Sequence, residues 1–230
     1  MAADDATTMS DPYAPLKANL RDTIKWLAGV FAALAAVVIA GTPLSGLAAP
    51  TLDFHHRLMG AAAIGVSFLS IVTALVLMLR LLRSDLIYPS DIDPNVSLED
   101  RRDRRELESV RQDVAEHQRD LYPQSASYAI FLAEIDRANQ SAKRLGDEWQ
   151  KLETQRTVDS VAADAARARY DDQVKQIQLY RGVQGNVLAY ASYQRLYTRM
   201  QRATPWLLAC GTVALAALLA FTFFIQMEST

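Results

Sequence analysis

Three stretches of this chain contain no charged residue: Trp26 to Leu52, Leu58 to Leu79 and Ala203 to Met227. Each is at least 22 residues long. A helix rises about 1.5 Å per residue and a bilayer core is about 30 Å thick, so about 20 apolar residues cross it. The runs therefore predict an all-α membrane protein with three transmembrane helices, two N-terminal and one C-terminal. Between the second and third lies a polar segment that predicts a cytoplasmic helical bundle or coiled-coil-like domain. A secretory signal fits the first run poorly, because its apolar part is too long, acidic residues precede it and a second run follows at once.

Basic residues beside membrane spans favour the cytoplasmic side. Lys17, Arg21 and Lys25 precede the first run, Arg80 and Arg83 follow the second, and Arg195, Arg199 and Arg202 precede the third. The opposite ends offer only Arg57. The expectation is a multi-pass protein of the inner (plasma) membrane with its N-terminus cytoplasmic and its C-terminus external. The order is a cytoplasmic segment over 1–25, a membrane hairpin over 26–82 with spans near 26–47 and 58–79, and a linker over 83–97. A cytoplasmic helical domain over 98–202, a third span over 203–227 and an external tail over 228–230 follow.

Within the spans, small residues stand four apart: Ala32 and Ala36 in the first, Ala61 and Gly65 in the second. Close backbone approach drives helix association in lipid, so these pairs are candidates for span packing, within one chain or between chains. Gly41 and Pro43 predict a break or kink in the outer half of the first span, since proline removes a backbone donor and clashes with the preceding turn. No Asp, Glu, Lys or Arg stands inside a run, which argues against a proton relay, a voltage sensor or an ion-coupled transporter.

The segment "RRDRRELESVRQDVAEHQRD", residues 101–120, alternates arginines with carboxylates. Ser97 with Asp100 gives an approximate capping box, and a helix is expected over about 98–120. Leu107, Val110 and Val114 form a narrow apolar seam on it, with Leu121 beyond and His117 at the skipped position. Tyr122-Pro123 should end it, because the residue before proline disfavours helix. Tyr128, Phe131, Ile135, Ala138, Ala142, Leu145, Trp149 and Leu152 then repeat by three and four. This is a coiled-coil-like stripe and the best candidate surface for an oligomer or partner. Gly146 weakens it locally. A softer break is expected near 153–161, then a third helix with Gly182 and Gly185 as interruptions or close crossings, leading through Tyr190, Tyr193 and Tyr197 into the last span.

Chemistry is harder to find. The loop "DFHHR" brings Asp53, His55 and His56 together, but adjacent imidazoles diverge in an extended chain and a further ligand is missing. No phosphate-binding glycine loop, nucleophile elbow or metalloprotease motif occurs. No cofactor, metal or catalytic residue is therefore expected, and the chain does not read as an enzyme. The lone Cys210 offers no intramolecular disulfide. A formal net charge of −2 gives no basic field for nucleic acid. The expected partners are the lipid bilayer and either identical chains or a cytosolic protein. The sequence thus reads as a bacterial membrane interaction or effector protein, its cytoplasmic domain self-associating or binding a partner and acting through the spans, with altered membrane permeability as one outcome. A non-conducting anchor or assembly scaffold is the alternative, and a small channel or transporter subunit the second alternative. Two spans, a helical insert and a final span resemble the architecture of some bacterial membrane effectors of anti-phage systems.

Overall fold

A computed structural model describes residues 11–41, 54–82, 87–99, 103–154 and 160–227. Among the described residues every regular element is a helix and no strand occurs. They are α1 (Ala14–Gly41), α2 (Phe54–Leu82), α3 (Pro89–Ile92), α4 (Arg104–Glu116), α5 (Gln118–Leu121), α6 (Tyr128–Thr154) and α7 (Ser160–Met227). By length and composition two of these helices can cross a membrane, through Leu58–Leu82 of α2 and Ser160–Phe223 of α7. The chain divides into two units, one of Met1–Pro15 with Leu86–Arg195, the other of Leu16–Asp85 with Leu196–Thr230. The 68-residue helix α7 contributes to both.

In the first unit the expected linker contains α3, started by Pro89 at a position where a missing N–H costs nothing. The Arg111 guanidinium fastens it to α4, donating from Nε to the Asp91 carbonyl at 2.8 Å and from Nη2 to the Val96 carbonyl at 3.0 Å. The helix expected from about residue 98 is described only from Arg104. Just before it, the Ser97 hydroxyl accepts the Glu99 N–H at 3.3 Å, a local turn that competes with helix. Residues 100–102 lie outside the described ones. At the far end α4 stops at Glu116 and α5 makes one further turn.

Tyr122 has a non-helical backbone, φ −147° and ψ 69°, in keeping with the bar that a following proline sets against helix. The chain turns there, and the Ser127 hydroxyl accepts the Ile130 N–H at 3.3 Å to cap α6. α6 then runs antiparallel to the first part of α7: Phe131 meets Tyr180, Ala138 and Ala142 meet Ile177, and Trp149 meets Tyr170. α4 packs onto the same pair, so that Val110, Val114, Tyr128, Phe131 and Ile135 share a core with Val187 and Ala191. Burying a side chain the size of valine or leucine stabilises by about 1.5–3 kcal/mol, so this seam is what holds the three helices together.

The second unit is built by another seam. On α2, Ile64, Ser67, Ile71, Ala74, Met78 and Leu81 recur by three and four, and all are buried or half-buried. They face Ile24 and Phe31 of α1 and Leu207 and Ala214 of α7. Where two helices meet, the Ser67 hydroxyl donates to the Ala214 carbonyl at 3.3 Å. Phe31 lies against Gly211, its ring 3.6 Å from where a Cβ would stand.

One expectation changes. Gly182 and Gly185 do not interrupt α7, which also continues through Pro205. Ala32, Ala36, Ala61 and Gly65 are all exposed within this chain, so the seam between α1, α2 and α7 does not use them. Larger apolar side chains fill the seam on the other faces of those helices. Gly41 is the last described residue of α1, while Thr42 and Pro43, where the kink was expected, lie outside the described residues.

Candidate interaction surfaces

The stripe expected to bind a partner is occupied by the chain itself. Leu107, Val110, Val114, Tyr128, Phe131, Ile135, Ala138 and Ala142 are buried, and Leu145, Trp149 and Leu152 are half-buried. A heptad stripe specifies a helical partner without saying which chain provides it. Here α7 provides it, through Ile177, Tyr180, Val187 and Ala191. The surface left for another molecule is therefore elsewhere on this unit.

One such place is a cleft of about 480 Å³ near the end of α6, lined by Lys143, Asp147, Trp149, Glu153 and Tyr170 among others. Trp149 and Tyr170 stack with ring centres 5.7 Å apart. The Arg167 guanidinium lies 5.9 Å over the indole, a cation–π distance. Gly146 makes the stack possible, because a Cβ there would stand 3.3 Å from the Tyr170 ring. Trp149 Nε1 is buried and has no hydrogen-bond acceptor among the described residues. The cleft combines an aromatic wall, a donor and charges of both signs. Its sequence signal was Gly146 three residues before Trp149, which reads as a weakened helix until Tyr170 is seen to need the space.

A second cluster joins elements far apart in the chain. Tyr13 stacks on Tyr193 at 5.9 Å and meets the edge of Tyr190 at 5.5 Å. The Tyr190 hydroxyl lies 3.1 Å from His117 Nδ1. That nitrogen is also 2.9 Å from the Asp113 carbonyl oxygen. Burial pushes the Tyr190 phenol above its ordinary range, with Asp113 adding to the effect. Further along α7, Arg195 is buried and joined to both Asp103 and Glu106, with its Nε donating to Glu106 Oε1 at 3.0 Å. In sequence the charges before Leu107 only alternate in sign, yet two of those carboxylates hold an arginine that lies more than 80 residues away.

In the second unit a lateral groove of about 410 Å³ opens beside the seam. Its walls include Ile24, Phe31, Met78, Leu207, Gly211 and Leu215. The Thr204 and Thr212 hydroxyls, also on the lining, donate to carbonyls of their own helix, Met200 at 2.8 Å and Ala209 at 2.9 Å. Nothing polar in these side chains is left asking for a partner in the groove. The exposed pairs Ala32/Ala36 and Ala61/Gly65 form separate small-residue faces.

No group of three or more His, Cys, Asp or Glu side chains comes together among the described residues. His55 stands exposed on α2, and Asp53 lies outside the described residues. Cys210 is half-buried at the seam. Set against known protein families, curated proteins and solved structures, the chain matches none.

Proposed function

We propose that this is a three-span bacterial inner-membrane protein that works by interaction rather than catalysis. Its helical unit recognises a cytosolic partner or a second copy, and its spans hold that complex at the bilayer. The observation that carries this reading is α7, one uninterrupted helix whose first part completes the helical core and whose last part completes the apolar seam. A helical unit built on part of α7 is covalently tied to the segment of α7 that can cross a membrane. The assignment of α1 as a third span, like the cytoplasmic placement of the helical unit, rests on the uncharged run from Trp26 and on the basic flanks.

The coiled-coil stripe no longer supports assembly, since the chain consumes it internally. Recognition falls instead to exposed surface such as the Trp149 cleft. Altered permeability is the second reading, favoured by the exposed faces at Ala32/Ala36 and Ala61/Gly65, which an assembled pore would need.

Topology tags test the frame: an N-terminal tag should be protected in the cytosol and a C-terminal tag accessible from outside. Purified protein in liposomes separates the two readings. The anchor conducts no ions, whereas steady ion flux through vesicles overturns it in favour of a pore.

A further inference from the structure

We infer that the lateral groove between α1 and α7, floored by α2, holds one acyl chain of an anionic phospholipid whose headgroup sits among basic residues at one end. The inference rests on the membrane reading of the second unit.

Shape limits the occupant first. The groove follows α7 from Met200 to Leu215, about 22 Å at 1.5 Å per residue. Spread over that length, the roughly 990 Å³ of space between its side chains gives a mean cross-section of at most about 45 Å². An α-helix with its side chains is about 10–12 Å across and does not fit such a slot. A single extended hydrocarbon chain does.

Polarity agrees. The floor and walls are aliphatic or aromatic, and the two threonines spend their hydroxyls on their own helix. A polar tail or a peptide would find no partner in these side chains.

Charge sets the direction and the headgroup. The groove ends at Ile24, Leu81 and Met200. Beside those positions stand Arg21 and Lys25 on α1, Arg80 on α2 and Arg202 on α7. Arg21 lies one turn from Ile24 on the same helical stripe. The one acid nearby on α1, Asp22, pairs with Lys25 at 3.0 Å on the surface, which leaves the end positively charged. At the other end the lining finishes at Phe31 and Leu215, among apolar side chains. A phosphate attached to a hydrocarbon chain meets both halves of this arrangement.

The test uses the full-length chain purified in detergent, with phosphatidylglycerol or phosphatidylcholine of the same acyl length added, and counts retained lipid by native mass spectrometry. One phosphatidylglycerol should be retained in preference to phosphatidylcholine. Arg21→Gln and Arg80→Gln should each weaken its retention about fivefold. Thr212→Phe, which fills the groove from a lipid-exposed position, should abolish it. Val72→Phe, on an exposed face of α2 remote from the lining, should leave it unchanged. Equal retention of the two lipids, or retention that survives Thr212→Phe, overturns the inference. So does a lipid-free dimer that Thr212→Phe dissociates, because the occupant would then be a second copy. Carbonate extraction of cell membranes keeps the two levels apart. A chain released as soluble protein sinks the membrane reading itself, whereas an embedded chain that retains no lipid sinks only the groove.

Discussion

Arg195 on α7 donates from Nε to Glu106 Oε1 at 3.0 Å, from a side chain only 6% exposed. Its terminal nitrogen reaches Asp103, the residue that precedes α4. The start of α4 is therefore fixed by a cation delivered from another helix. Removing one partner of a buried pair leaves the others charged and poorly hydrated, a loss of about 3–5 kcal/mol. Arg195→Met should cost about 3 kcal/mol, toward the lower end because Asp103 is 30% exposed. Arg195→Lys should recover part of it, since a point charge cannot serve two carboxylates as a guanidinium fork does. Denaturant unfolding of the full-length chain, followed by helical circular dichroism, measures both.

Ala138 and Ala142 separate a core stripe from an assembly stripe. Both are buried against Ile177. Glu at either site would bury a charge with no prepared partner, and Ala142→Glu should destabilise the helical unit by about 3 kcal/mol or more. Val161→Glu, at a position 79% exposed, should change stability by less than about 0.5 kcal/mol. Thermal unfolding decides. A folded Ala142→Glu chain that differs only in oligomer size would return the stripe to the surface.

Alkaline pH should weaken the fold through tyrosine. Burial pushes the Tyr128 phenol up to about 12, with the Gln184 side chain beside it acting in the other direction. Burial also raises Tyr122. An unfolded tyrosine ionises near pH 10. Between there and about 12 the unfolded chain has lost protons that the folded chain keeps, so stability falls as pH rises. Below that window the contribution is fully present. Tyr128→Phe should flatten the fall, and tyrosinate absorbance at increasing pH should show a late-ionising group that this variant lacks.

Ser67 provides a hydrogen bond that one substitution can remove from the seam with little change of shape. Interhelical bonds of this kind contribute about 0.6 kcal/mol on average and up to about 1.7. Ser67→Ala should therefore lower the stability of the detergent-solubilised protein by about 1 kcal/mol, read as a shift in its unfolding midpoint.

The helices were legible where a local pattern is enough. Absence of charge marks α2 and the end of α7, and the three-and-four repeat marks α6. The partner of α6 was not legible, because Tyr128 to Leu152 specifies a complementary helix and says nothing about its origin. The seam around α2 was hidden for the opposite reason. Ile71, Ala74 and Met78 differ little from the outward Val72 and Val76, and an apolar run has no polar face to show which side packs. Short-range patterns also favoured Ala61 and Gly65, whereas volume at Ile71 and Met78 fills the contact. The Arg195 cluster and the Trp149 cleft depend on pairings across helices, and no spacing along one helix encodes those.

Ser67 and its acceptor at Ala214 are separated by 147 positions. Ribosomes add about 5–20 residues per second, so the hydroxyl waits roughly 7–30 s before that carbonyl has even been made. During synthesis α1 and α2 must therefore rest on some temporary neighbour. Their mature arrangement becomes available only when the final stretch of polypeptide emerges.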